Sequence, residues 1–163
     1  MNHEKSFQDY YPAATAHCYG CGRLNAQGLQ IKSYWDGDES VCAFTPRAYH
    51  TAIAGFVYGG LIASLIDCHA TGTAAAAMYR MENRAMDSLP AFRFVTAALR
   101  VDYLKPTPLE IELIVRARVQ EIKGRKVIVA AELFARGEVC ARGNVVAVQM
   151  PENLVGAGLA SAL

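Results

Sequence analysis

The chain has 163 residues; 91 of them are apolar when Gly is counted and Tyr is not, above the roughly 45–50% usual for a soluble domain, and 16 basic against 15 acidic side chains leave a net charge of +1. High apolar content at near-zero charge excludes intrinsic disorder, and without a basic excess there is no electrostatic case for a nucleic-acid partner. The length fits one domain, residues 1–163, and the surplus of small residues, 27 of them Ala, predicts surface hidden in a subunit interface.

The start MNHEKSFQDYYP mixes charges with aromatics and has no apolar core, unlike a secretory signal, so the expected location is the cytoplasm. A lead-in over residues 1–27 ends in the turn-rich run His17-Cys18-Tyr19-Gly20-Cys21-Gly22. The five cysteines, at 18, 21, 42, 68 and 140, are expected as reduced thiols and not as a disulfide framework. Cys18-x-x-Cys21 has metal-ligand spacing, but a closed zinc site takes four ligands. No second Cys pair exists, and His17 and His3 would contribute only through a contrived loop. The expectation is a turn with incidental thiols, no metal and no cofactor.

Two short strands are predicted over 29–34 and 41–44, joined by Asp36-Gly37-Asp38. The longest apolar stretch, residues 52–66, holds three glycines and stops at Asp67, short of the roughly 20 residues of a membrane span. One long helix is predicted from Gly59-Gly60 to about Met81, a length of about 30 Å. Its apolar residues lie on several faces, so it should be buried along most of its length.

The second half changes period. Leu99, Val101 and Tyr103 alternate with Arg100 and Asp102, and Ile111, Leu113, Val115, Ala117 and Val119 alternate with polar residues, as strands with one buried face do. Residues 127–134 and 139–149 complete the set. Turns fall at Pro106-Thr107-Pro108, Lys123-Gly124 and Arg136-Gly137, and connections this short favour antiparallel neighbours. The tail over 151–163 reads as a loosely held terminus.

One long buried helix with about six antiparallel strands is most economically closed by wrapping the sheet around the helix, an α+β hotdog arrangement. The segment Ala54-Gly55-Phe56-Val57-Tyr58-Gly59-Gly60-Leu61-Ile62-Ala63-Ser64-Leu65-Ile66-Asp67 resembles the helix start of hotdog-fold acyl-CoA thioesterases of the PaaI type. Cys18-x-x-Cys21-Gly22-x-x-Asn25-x-x-Gly28-Leu29 resembles the N-terminal segment of one branch of that family, and Val95-Thr96-Ala97-Ala98-Leu99-Arg100-Val101-Asp102-Tyr103-Leu104-Lys105-Pro106 its strand after the helix. The resemblance implies metal-independent hydrolysis of an acyl-CoA to free acid and CoA.

Thioester hydrolysis needs donors for a developing oxyanion and a group that activates water or attacks directly. The free N–H groups at the helix start, on Gly59 and Gly60, supply the first. Asp67, the only carboxylate between Ala52 and Arg80, supplies the second as general base or nucleophile. The two groups are eight residues apart, about 12 Å along one helix, while one carbonyl must lie within roughly 3 Å of both. Two antiparallel helices satisfy this where one cannot, so the site is expected across a homodimer, with pairing of dimers into a homotetramer left open. The resemblance implies the same interface site. Thr71, one turn beyond Asp67, takes from the family the role of holding water. Tyr58 stands where many members carry His; a phenol donates a hydrogen bond but is a poor base near neutral pH. Gly55 and Ser64 are expected against substrate, and Lys105, Arg125 and Lys126 against the CoA phosphates.

Plainer readings stand beside these. Asp67 would be a structural acid paired with a backbone N–H or an Arg, the glycine pair a close-packing device, and Thr71 and Ser64 packing residues. His69 does not share a face with Asp67 and reads as structural. A non-hydrolytic acyl-CoA or lipid-binding protein is the alternative function, with Tyr58 in its favour. A hydratase comes third, since His50 lies ahead of the helix.

Overall fold

Gly59–Met81 forms one uninterrupted helix, α1, and both of its ends are set by local chemistry. Tyr58, extended at φ −71° and ψ 144°, hands the chain to Gly59 and Gly60. At the other end Asn83 turns left-handed (φ 50°), Asn83 N–H donates to the Arg80 carbonyl (3.1 Å) and Arg84 N–H to the Tyr79 carbonyl (2.9 Å), the paired closure of a Schellman stop. The computed structural model describes residues 5–156. His3 and residues 157–163 of the expected loose tail lie outside the described residues.

The strands are β1 (Tyr34–Asp36), β2 (Glu39–Phe44), β3 (Phe94–Tyr103), β4 (Leu113–Lys123), β5 (Lys126–Ala135) and β6 (Glu138–Gln149), followed by a one-turn helix α2 (Glu152–Gly156). They form one antiparallel sheet in the order β1-β2-β4-β5-β6-β3. The hairpins turn where the sequence placed Gly124 (φ 58°) and Arg136-Gly137 (φ 53° and 79°), the left-handed pair that suits a two-residue connection. Because β3 returns beside β6, α1 crosses the sheet from one side to its far edge.

The inner face of the sheet carries Leu113, Val115, Val127, Val129, Leu133, Val145 and Ala147, all fully buried against Leu61, Leu65 and Ile66 of α1. By length and hydropathy α1 would cross a membrane, but 83% of its most apolar window is enclosed by the fold, so it is the core helix. Close approach is set at Gly143 of β6, where a Cβ would stand 2.4 Å from Ile66 Cγ2. A six-stranded antiparallel sheet around one long helix is the hotdog fold expected of the sequence.

Two expectations are corrected. Residues 29–33 do not form a strand: Gln30 takes φ 57°, and Leu29 and Ile31 donate to the carbonyls of Tyr19 and Gly20 in the lead-in (2.8 and 3.0 Å), so the first strand starts at Tyr34. The alternating face of β3 is not buried either. Leu99 is 39% and Tyr103 54% exposed, because β3 is the sheet edge and has β6 on one side only.

Candidate active site

At the start of α1, the Leu61 N–H turns back to the Tyr58 carbonyl (3.1 Å), whereas the N–H groups of Gly59 and Gly60 make no hydrogen bond among the described residues. They sit where the helix end concentrates partial positive charge. The absence of side chains is used on both: a Cβ on Gly59 would be 3.2 Å from the Tyr103 hydroxyl, and one on Gly60 would be 2.4 Å from the Tyr58 ring. Tyr103 donates to the Gly59 carbonyl at 2.8 Å, which pins the helix start to the end of β3. His50 supports the same corner, its carbonyl accepting the Tyr58 N–H (3.0 Å).

Two turns along α1, half-buried Asp67 accepts a hydrogen bond from the Thr96 hydroxyl of β3. Among the described residues it joins no ion pair, so the structural reading that gives it an Arg partner does not hold. Sequence spacing did not find Thr96, 29 residues away. The available signal was that it is the sole Ser or Thr in β3.

The hydroxyls on α1 itself are engaged with the helix. Thr71, buried, donates to the carbonyls of Asp67 and Cys68 (3.1 and 3.2 Å), and Ser64 donates to that of Gly60 (2.8 Å). Such back-bonding is the ordinary state of Ser and Thr inside a helix.

His69 is structural, as the sequence indicated. It is fully buried between Ser33 (2.8 Å to Nδ1) and Ser40 (3.1 Å to Nε2), and burial pushes its pKa down to about 4. His50 uses Nδ1 to accept the Arg47 N–H (3.0 Å); burial and then the Arg47 charge lower its pKa. Neither imidazole is hydrogen-bonded to Asp67.

Gly55, at φ 88°, tips an exposed loop beside the helix start, and its carbonyl accepts the Leu109 N–H (2.9 Å). Lys105 pairs with Glu138 (3.1 Å) at one end of β6, whereas Arg125 donates to the Gln149 carbonyl (2.5 Å) at the other end, next to Lys126. These twelve residues of strand separate them by about 35 Å, so one chain does not gather the three cations. On another side of α1, the Sγ atoms of Cys18 and Cys21 meet that of Cys68, all within 4.8 Å, a third sulfur that linear spacing did not show.

The thioesterase superfamily model matches residues 54–147. The chain is 36% identical over 93 residues to acyl-coenzyme A thioesterase THEM4 of Xenopus laevis, covering 57% of this chain and 36% of that protein. Its rat counterpart is 32% identical over 113 residues, covering 68% and 43%. The chain thus spans less than half the length of these curated relatives. Among solved structures, a thioesterase superfamily protein of Shewanella loihica PV-4 is similar at TM-score 0.65 and 48% identity, covering 85% of this chain and 97% of that one. The Escherichia coli PaaI protein, from the phenylacetic acid degradation operon, shares the fold at TM-score 0.61 and 17% identity, covering 76% and 81%. With the family model spanning more than half of its length, the chain belongs to the thioesterase superfamily.

Proposed function

We propose that the protein is an acyl-CoA thioesterase, hydrolysing a fatty-acyl or aryl-acyl thioester to free acid and CoA in two sites shared between two copies of the chain. The observation that carries this is the Asp67 carboxylate, free of any cationic partner among the described residues and hydrogen-bonded to Thr96 on an uncovered edge strand.

The pairing follows from β3. This strand is ten residues long, unpaired on one side, and exposes Val95, Leu99 and Tyr103, an edge suited to a second copy. Thr96 holds Asp67 and Tyr103 holds Gly59; the bulge at Ala97 brings both onto the α1 face, so the two contacts lie symmetrically about Arg100. Antiparallel pairing of two β3 strands about that point sets Asp67 of one copy opposite Gly59 of the other, which closes the gap of about 12 Å within one helix. It also turns the Lys105 end of one chain toward the end of the other that carries Arg125 and Lys126, where CoA phosphates would be met.

In this arrangement the Thr96 hydroxyl holds one oxygen of the Asp67 carboxylate, and a water donates to the other. Asp67 removes its proton as the oxygen attacks the thioester carbonyl. The oxyanion accepts the N–H groups of Gly59 and Gly60 from the other copy. Collapse breaks the C–S bond, and the CoA thiolate leaves with the proton from Asp67. The phenol of Tyr58 stands over Gly60 as a donor at the mouth of the site, and Gly55 and Ser64 border the acyl path. Direct attack by Asp67 is the other route: it forms a mixed anhydride as the C–S bond breaks and CoA leaves, and water opening that anhydride at the Asp67 carbonyl passes one carboxylate oxygen into the product acid, which a single turnover in heavy-oxygen water detects. The second function, acyl-CoA binding without turnover, is favoured by Tyr58 in place of His.

The test is thiol release across a panel of alkyl and aryl acyl-CoA substrates, with Asp67→Asn alongside. Hydrolysis by the parent and its loss in the variant is expected. Full activity in Asp67→Asn, or tight binding with no turnover by the parent, overturns the assignment.

A further inference from the structure

We propose that Cys18, Cys21 and Cys68 form a three-thiolate site for a soft divalent cation of the zinc type, which joins the N-terminal lead-in to α1. The inference stands apart from the proposed hydrolysis, since these sulfurs do not enter it. The lead-in is folded as a tight knuckle: the Gly22 N–H donates to the Cys18 carbonyl (2.8 Å), and Leu29 and Ile31 donate to the carbonyls of Tyr19 and Gly20. Two glycines press this knuckle onto the sulfurs. A Cβ on Gly20 would lie 2.2 Å from Cys68 Sγ, and one on Gly22 would lie 2.4 Å from the Cys18 nitrogen.

The sulfur spacing suits one metal. Tetrahedral zinc thiolates have Zn–S bonds of about 2.3 Å, which sets ligating sulfurs roughly 3.8 Å apart. Cys18 Sγ and Cys68 Sγ are 3.8 Å apart, and all three sulfurs lie within 4.8 Å of one another. Cys18 is half-buried while Cys21 and Cys68 are buried, so the fourth position opens toward solvent on the Cys18 side, where water completes the shell.

The charge around the sulfurs points the same way. Beside them Arg93 is buried, 8% exposed, with one Nη 3.9 Å from Cys21 Sγ and the other without a partner, its guanidinium 4.1 Å over the Tyr11 ring. The Tyr11 hydroxyl is buried without a partner as well, within electrostatic reach of all three sulfurs. A buried guanidinium is costly unless negative charge meets it. Three thiolates, a divalent cation and Arg93 sum to zero. Binding forms three metal–sulfur bonds and breaks three S–H bonds, whose protons pass to solvent, with no oxidant required. A disulfide would join two of the sulfurs and leave Arg93 without a counter-charge.

The test uses the full chain, purified reduced and without chelator. Elemental analysis is expected to find about one zinc per chain. After chelation, Co2+ titration is expected to give the thiolate-to-metal charge-transfer band and the visible bands of a four-coordinate site, saturating at one equivalent, and Zn2+ to displace it with proton release. Cys18→Ser, at the half-buried position, weakens Co2+ binding at least tenfold while circular dichroism stays that of the parent; Cys21→Ser does the same if Cys18→Ser fails to fold. Cys140→Ala, outside the cluster, leaves the spectrum unchanged. Failure of the reduced parent to take up either metal overturns the proposal, as does equal uptake by a folded Cys18→Ser or Cys21→Ser chain. A Cys18–Cys21 or Cys18–Cys68 disulfide with no metal uptake after reduction overturns it in favour of a redox pair.

Discussion

Thr96 on β3 donates its hydroxyl to the carboxylate of Asp67 on α1, across 29 residues of chain, and so fixes the side of the core helix from which that acid is reached. Asp67→Asn keeps the shape and removes the proton acceptor. In a thiol-release assay it should lower kcat by about 10²–10⁴-fold, the usual contribution of a general base. Thr96→Ala should lower kcat by at least tenfold with little change in KM, and Thr96→Ser should restore most of the rate. A Thr96→Ala chain as fast as the parent would separate the hydroxyl from the chemistry.

The open edge of β3 gives the second prediction. Leu99, next to the midpoint between the Asp67 and Gly59 contacts, is exposed in the single chain. Leu99→Lys sets a charge opposite Val101 of the other copy, where the pairing of two β3 strands would strip it of water. Sedimentation or light scattering should show a shift from dimer to monomer, accompanied by loss of thioesterase activity but not of secondary structure. An active monomer would refute the shared site.

His69 makes stability depend on pH. Its folded pKa is about 4, against 6.5 for the free side chain, because burial disfavours the imidazolium. Below about pH 6.5 the unfolded chain binds a proton that the folded chain refuses, so stability is full above that pH. It declines as pH falls toward 4, by about 3 kcal/mol in all from this group. Denaturant unfolding from pH 7 to pH 4 measures the slope, and His69→Gln should flatten this part of it.

Packing between α1 and the sheet is tightest at Gly143, where a Cβ would meet Ile66 Cγ2 at 2.4 Å. Gly143→Ala should destabilise the fold by about 1–3 kcal/mol, the usual cost of overpacking. Pairing it with Ile66→Leu, which removes the Cγ2 methyl at that contact, should recover part of the loss. Additive losses in the two variants would show that the contact is not the cause.

The sequence by itself determined the elements that depend on local periodicity and turn chemistry. The limits of α1, the long hairpins and their left-handed turn residues are legible because each is specified by residues within a few positions of one another. Asp67 stood out for a similar reason, as a lone carboxylate in an apolar helix. What only the tertiary structure decided rests on contacts between distant segments. Residues 29–33 looked like a strand until the lead-in claimed their N–H groups. The period-two face of β3 looked buried, since alternation does not say whether the strand lies in the middle of a sheet or at its edge. Thr96 met Asp67, and Cys68 met Cys18 and Cys21, only because the chain crosses the sheet through α1 and lays the lead-in over that helix. Long-range pairing is fixed by the whole set of packed faces at once, and no local window of the sequence contains it.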